Sequence, residues 1–302
     1  MRASLAQTSA AVLTTFLLFY PVLQIVLLSL NKIPYFRIGG DFVPTLESFQ
    51  WVLQQPEFWR GLVNSLIVAG ATVVVVIALA LPGAYAFSRH RFKGRDPLLS
   101  FYVVFTQVSG GLGIAGLIAL FAIVSALGLR NNLLALALIY AAGAIPYHTW
   151  LLKTYIDTIP RSAEEAALID GAGVATLLFR VVFPLMAPAL AVSAILSFIG
   201  AWGELILANL TLSSENKTLI LWIYSLVSNV YLVQWNRFAA AALLYAIPPV
   251  ALYIIPQERP RLRILAPLHN VLKPVRVPPR RPQRQVHAFK PSHGDPPLLH
   301  QI

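Results

Sequence analysis

The sequence predicts an all-α membrane protein that crosses the lipid bilayer six times. Three observations predict this fold class. The 302 residues are 57% hydrophobic and only 12% charged, which leaves too little polar surface to cover a water-soluble globule. Six apolar stretches reach the length of about 20 residues that a helix needs to cross the hydrocarbon layer. These stretches are continuous, whereas the strands of a membrane barrel alternate between apolar and polar residues.

The six predicted spans lie within residues 1–256, which we assign to one transmembrane domain. The first span has too long an apolar run for a cleavable signal peptide, so we interpret it as a retained anchor. Six crossings place both termini on one face, which then holds 17 Lys and Arg residues against six on the other face. The positive-inside rule makes the more basic face cytoplasmic. The predicted spans are residues 10–30, 62–87, 98–124, 133–152, 184–212 and 238–255.

Residues 257–302 differ in composition from the rest of the chain. They are rich in proline and contain nine basic residues against two acidic ones. Such a segment is expected to be disordered and extended in the cytoplasm. We interpret it as a tail that contacts anionic lipid head groups. Docking on a protein partner is the alternative.

The link between the fourth and fifth spans, residues 153–183, contains the most specific pattern in the chain. Pro160 blocks continuation of the preceding helix, and Ser162 with Glu165 has the spacing of a capping box that begins a new one. Gly171 is placed to end that helix in a left-handed conformation. A second short helix, residues 174–183, would then lead into the membrane. The link therefore predicts a helix, a sharp turn and a helix along the cytoplasmic surface.

The same link spells Glu165-Ala166-Ala167, then Asp170-Gly171-Ala172, and then Phe179, Pro184 and Pro188. This array resembles the E-A-A loop of the membrane subunits of bacterial ABC importers. The resemblance implies the permease fold of type I ABC importers, with a surface helix that couples to a separate ATPase. It implies coupling residues and structural positions as follows: Glu164, Glu165, Ala166, Ala167, Asp170, Gly171 and Ala172 for coupling, and Phe179, Pro184 and Pro188 for structure.

Two further segments are similar to the carbohydrate-uptake branch of these importers, in particular to the G-type permeases for maltose and trehalose. Residues 81–95 resemble the family's segment at the end of the second span, and residues 201–204 resemble its Trp-Asn-Glu, with Gly203 in place of the usual Asn. The resemblance implies a di- or oligosaccharide as the solute. It also implies a translocation pathway near Trp202, Glu204 and Asn209.

The resemblance further implies the partners and the location of the chain. A second homologous permease, two copies of a cytoplasmic ATPase and an extracytoplasmic sugar-binding protein would complete the importer in the bacterial cytoplasmic (inner) membrane. The chain contains no P-loop motif and no cysteine, so we expect ATP and magnesium on the ATPase and no cofactor or metal on this chain. The chain is accordingly interpreted as a transport subunit and not as an enzyme.

Two other functions remain as alternatives. A self-sufficient secondary transporter with six spans would need a relay of buried ionisable groups, but Glu204 is the only acidic residue predicted well inside a span. Such a transporter would also be expected to show an inverted repeat, and none is evident. A membrane-embedded enzyme would need polar catalytic groups clustered at one depth, and the sequence shows no such cluster.

Overall fold

Helices account for nearly all regular structure in the computed structural model of the chain, which describes residues 5–34, 42–109, 113–173, 176–229 and 233–257. A π-helical turn, Leu177–Val182, runs directly into the α-helix that begins at Phe183. The α-helices are α1 (Leu5–Ser29), α2 (Glu47–Gln54), α3 (Pro56–Arg89), α4 (Arg95–Ser109), α5 (Gly113–Ala126), α6 (Leu133–Ile156), α7 (Arg161–Ile169), α8 (Phe183–Trp202), α9 (Ile206–Thr211), α10 (Leu219–Val227) and α11 (Trp235–Gln257).

Within the described residues, five helical segments are long and apolar enough to cross a membrane. They coincide with the first, second, fourth, fifth and sixth predicted spans, which confirms an all-helical membrane protein. Their bounds are Gln7–Ser29, Pro56–Arg89, Leu133–Ile156, Leu177–Trp202 and Trp235–Ile254.

The third predicted span, residues 98–124, corresponds to two shorter helices. Helix α4 has 15 residues and α5 has 14, so each is shorter than the roughly 20 residues that one crossing requires. Residues 110–112, between them, lie outside the described residues. A sixth long helix is therefore not among the described elements.

The fifth predicted span was wrong at its end, because the helix does not continue to residue 212. Helix α8 ends at Trp202, the N–H of Gly203 donates to the carbonyl of Ile199 at 3.1 Å, and a new helix, α9, begins at Ile206. Glycine weakens a helix interior, and the carboxylate of Glu204 accepts hydrogen bonds from the free N–H groups at the start of α9. Gly203 and Glu204 together therefore interrupt an otherwise apolar run.

Helix α3 is central to the packing, because it contacts α6, α8 and α10. Buried apolar side chains form two clusters along this bundle. One lies at the end that carries α7 (the α7 end), and the other lies at the opposite end. The α7-end cluster includes Leu81, Leu152, Ile156, Leu177 and Met186, and the opposite cluster includes Val52, Phe58, Leu136, Trp202 and Trp222.

Large apolar side chains also cover the outside of the bundle. On α1, which packs on α11, Val12 is 64% exposed and Leu18 is 71% exposed. Contiguous exposed apolar surface marks contact with membrane or with another protein. The outer surface is therefore suited to lipid and to partner helices.

Candidate functional site

Helix α7 is the predicted surface helix, and its end has the geometry that the sequence indicates. Gly171 has a φ of 82°. The N–H of Gly171 donates to the carbonyl of Leu168 at 3.0 Å, and the N–H of Ala172 donates to that of Ala167 at 3.0 Å. This pair of bonds is the Schellman arrangement, which satisfies the last carbonyls of a helix.

The start of α7 differs from the prediction. The helix begins at Arg161, Pro160 occupies the capping position, and no side-chain capping bond forms there. The capping box of Ser162 and Glu165 was therefore wrong. Pro160 has an extended backbone, with φ −60° and ψ 132°, and the helix begins directly after it, so that Ser162 falls inside the helix instead of before it.

The predicted coupling residues divide between two faces of α7. Glu165, Ala166, Asp170 and Gly171 are exposed, and so are two apolar side chains, Leu168 (52%) and Ile169 (85%). Glu164 is buried at 7% exposure, and Ala167 packs against the α7-end cluster. The exposed face offers acidic and apolar groups to a partner, while the other face holds α7 on the bundle.

The three structural positions of the motif, Phe179, Pro184 and Pro188, come after α7 in the chain. Phe179 lies on the π-helical turn, is 67% exposed and stacks on Phe183 with ring centroids 5.5 Å apart. Pro184 lies in the first turn of α8, directly after the π-helical turn. Pro188 lies inside α8. Residues 174 and 175, at the start of the predicted second helix, are outside the described residues.

Glu164 is held in place by two residues, neither of which was identified from the sequence. Arg89 contacts one carboxylate oxygen with its Nε at 2.7 Å and with a terminal guanidinium nitrogen at 2.7 Å. The hydroxyl of Tyr85 donates to the other oxygen at 3.0 Å. Tyr85 and Arg89 are one helical turn apart at the end of α3, and this i, i+4 spacing beside the basic cluster is the signal that could have identified them.

A second polar contact at the α7 end joins α3 to α6. The hydroxyl of Ser88 donates to Asp157 at 2.6 Å, and the ammonium of Lys153 lies 2.7 Å from the same carboxylate. Burial alone would raise the pKa of Asp157, but hydrogen bonds from Lys153 and Ser88 outweigh it and hold the pKa below its usual value. Asp157 is therefore a fixed negative charge at neutral pH.

Glu204, at the opposite end, belongs to the break between α8 and α9. Its carboxylate accepts hydrogen bonds from the backbone N–H groups of residues 206, 207 and 208 at 3.0–3.2 Å. The hydroxyl of Tyr140 donates to it at 2.6 Å. Free N–H groups at the start of a helix favour an anion, so Glu204 begins α9 and ties it to α6.

Trp202 and Asn209 lie on either side of Glu204 in the chain but in different surroundings. Trp202 is buried at 2% exposure, stacks on Phe198 with centroids 5.4 Å apart, and accepts a hydrogen bond on its carbonyl from the hydroxyl of Tyr245. Asn209 is exposed and lines a cavity of about 360 Å³ between α5, α9 and α10. Phe121 and Tyr224 line the same cavity. Only Asn209 of the three predicted pathway residues therefore faces it.

Metal-binding chemistry has no cluster to support it within the described ranges. No group of three or more His, Cys, Asp or Glu side chains there could hold a metal ion. His148, on α6, is 3% exposed, and its Nδ1 lies 2.8 Å from the hydroxyl of Ser193 on α8. This contact gives His148 a packing role between two helices.

Comparison with known proteins identifies the family to which this architecture belongs. A family model described as the binding-protein-dependent transport system inner membrane component matches residues 80–257. The maltodextrin transport system permease protein MdxG of Bacillus subtilis (strain 168) is 32% identical over 80% of this chain and 90% of its own length. The maltose/maltodextrin transport system permease protein MalG of Vibrio vulnificus (strain YJ016) is 40% identical over 65% of this chain and 67% of its own length.

A solved structure supports the fold independently. One chain in the crystal structure of a bacterial ABC transporter involved in the import of the acidic polysaccharide alginate superposes with a TM-score of 0.66 at 22% identity. The match covers 86% of this chain and 99% of that chain. The predicted ABC importer permease fold is confirmed, and the family model confirms the interpretation as a transport subunit. The chain belongs to the family of inner membrane components of binding-protein-dependent ABC transport systems.

Proposed function

We propose that this chain forms half of the translocation pathway of an ABC importer for a di- or oligosaccharide. The observation that supports this most is the match of residues 80–257 to the family model, which includes α7 and its Gly171 turn. Relatives named as permeases for maltodextrin, galactooligosaccharides and diacetylchitobiose are 32–36% identical to the chain. The shared chemistry of those named solutes is a short chain of sugar rings.

The proposed topology has six crossings with both termini in the cytoplasm. Helices α4 and α5 together make the third crossing, and the α7 end of the bundle is cytoplasmic. The basic residues support this orientation, because Arg89 ends α3, and Arg91, Lys93 and Arg95 come just after it at the same end as α7. The opposite end then faces the sugar-binding protein.

The proposed partners follow from the two ends of the bundle. A second homologous permease completes the pathway, and two copies of an ATPase, which carry ATP and magnesium, dock on the cytoplasmic face. The exposed face of α7 supplies an acidic side chain, Glu165, beside apolar Leu168 and Ile169. A charged group beside apolar surface is a usual composition for a contact with another protein.

The proposed sugar pathway passes the cavity beside Asn209. The amide of Asn209 can donate to and accept from a sugar hydroxyl, and the rings of Phe121 and Tyr224 offer apolar surface to the face of a sugar ring. Glu204 and Trp202 shape the α8–α9 break that positions Asn209. Glu204 contributes through its bonds to α9 and Tyr140.

The test is to purify the complex through an affinity tag on this chain and to reconstitute it in proteoliposomes with its binding protein. We expect ATP-dependent uptake of an oligosaccharide from a panel of maltose-, galactose- and chitobiose-type sugars. Free amino acids serve as the control solutes. Uptake driven by a proton gradient without ATP would instead favour the secondary transporter and overturn the proposal.

Residues 257–302, which contain nine basic residues and lie almost entirely outside the described residues, are proposed to contact anionic lipid. Truncation after Arg259 should then leave solute-stimulated ATP hydrolysis unchanged in neutral detergent, because the interaction is electrostatic and needs a charged membrane. A large change in hydrolysis would place this segment in contact with the ATPase.

A further inference from the structure

Helix α7 is joined to the membrane bundle by a clamp on α3. Tyr85 and Arg89 each donate a hydrogen bond to a different carboxylate oxygen of Glu164. The side chains of Arg89 and Glu164 are each only 9% exposed, so water does not screen this ion pair as it does at a surface. Charge-assisted bonds of 2.7 Å are short and strong.

Arg89 also holds the residue that precedes α7. A terminal guanidinium nitrogen donates to the carbonyl of Ile159 at 2.9 Å, one residue before the capping Pro160. The planar guanidinium fixes the direction of several bonds at once. The start of α7 and its first turn are therefore fastened to the same side chain of α3.

The opposite end of α3 holds another segment in a similar way. The side-chain amide of Asn64 donates to the carbonyl of Lys217 at 3.0 Å, and the N–H of Leu219 donates to the hydroxyl of Ser65 at 2.8 Å. At Gly61 the two backbones approach so closely that an added Cβ would lie 3.1 Å from the Cα of Leu219. Residues 217–219, which lead into α10, are thus docked on α3.

These contacts lie at the two ends of one helix. Helix α3 has 34 residues, which corresponds to roughly 50 Å at about 1.5 Å per residue. Coupling between distant sites can be carried by a rigid secondary element that both sites bias. A single helix held at both ends is such an element.

We propose that Tyr85 and Arg89 are positioning residues that clamp α7 to α3, so that α3 carries the movement of the ATPase-facing helix to the segment at residues 217–219. This inference rests on the proposed function, because it takes α7 as the ATPase contact. It assigns opposite tasks to the two adjacent acidic residues. Glu165 faces the ATPase, and Glu164 passes the resulting force to α3.

The first test measures solute imported per ATP hydrolysed in proteoliposomes that contain the whole complex. We expect Glu164→Gln and Arg89→Gln to lower this ratio by at least about fivefold, the lower end of typical coupling between sites. Tyr85→Phe, which removes one bond and keeps the ring, should lower it less. A variant that only folds poorly would reduce import and hydrolysis together and leave the ratio unchanged.

The matched control is Lys32→Gln. Lys32 also forms an ion pair, with Glu47 at 3.7 Å, but its side chain is 63% exposed and the pair lies at the opposite end of the bundle. We expect the wild-type ratio for this variant. A wild-type ratio for Glu164→Gln and Arg89→Gln as well would overturn the clamp.

The second test does not depend on transport. Spin labels at Arg91→Cys and Arg161→Cys, in this cysteine-free chain, report the distance from the end of α3 to α7. We expect a narrow distance distribution in the parent complex and a broad one after Glu164→Gln. A narrow distribution in both would reject the clamp. If the parent complex imports no carbohydrate but the distribution still broadens, the clamp stands and the proposed function fails.

Discussion

Gly171 provides a direct test of the α7 turn. Its φ is 82°, a region that costs an ordinary L-residue roughly 1–2 kcal/mol. An added Cβ would meet no atom within 4 Å, so the whole cost of a substitution comes from the backbone. A cost of about 1–2 kcal/mol corresponds to a roughly 5- to 30-fold lower population of the native turn.

We therefore expect Gly171→Ala to reduce ATP-driven import in proteoliposomes, and Gly171→Val to reduce it further, because a β-branched residue with positive φ is an outlier. Gly171→Asn should be the mildest, since Asn tolerates this conformation. The amount of complex inserted in the membrane should remain normal.

Gly173 offers a matched control two residues away. Its Cβ would also meet no atom within 4 Å, but it is not among the residues with positive φ. Gly173→Val should therefore import solute better than Gly171→Val. Equal activity of these two variants would refute the reasoning from backbone conformation.

Three further predictions concern the opposite end of the bundle. Tyr140→Phe removes a 2.6 Å hydrogen bond to Glu204. Because hydrogen bonds to charged groups contribute about 1.5–3 kcal/mol, the melting temperature in detergent should fall by roughly 3–6 °C. An unchanged melting temperature would mean that this bond does not stabilise the break between α8 and α9. Gly61→Ala crowds the backbone of Leu219 and should destabilise the protein by about 1–3 kcal/mol in thermal unfolding. In the control Gly70→Ala the added Cβ meets no atom within 4 Å, so this variant should be neutral or stabilising. Ser214→Cys, at an exposed position of a cysteine-free chain, should react with an impermeant thiol reagent from outside the cell, and labelling only from the cytoplasmic side would contradict the topology.

The parts of the fold that follow from local chemistry could be predicted from the sequence. Long apolar runs gave the five crossing helices, because hydrocarbon forces the backbone to satisfy its hydrogen bonds within each helix. Pro160 and Gly171 mark the start and the end of α7, because proline restricts the backbone and glycine frees it wherever they occur.

The errors arose where two local signals competed. Ser162 and Glu165 have capping-box spacing, but the helix already starts after Pro160, two residues earlier. The apolar run through residue 212 suggested one continuous span, but Gly203 and Glu204 interrupt it. In both cases hydrophobicity or spacing predicted the element correctly and its boundary incorrectly.

The sequence by itself determined that this chain is a helical membrane protein whose α7 ends in a glycine turn, because those features depend on apolar length and on single residues. The permease family was indicated by the resemblance of the loop motif. Only the tertiary structure decided which acidic residue faces inward. Glu164 and Glu165 are neighbours of the same type, and the choice between them depends on Arg89 and Tyr85, which lie about 75 residues earlier in the chain. Nothing in the local sequence of α7 records those partners, because they meet Glu164 only when α3 and α7 pack together.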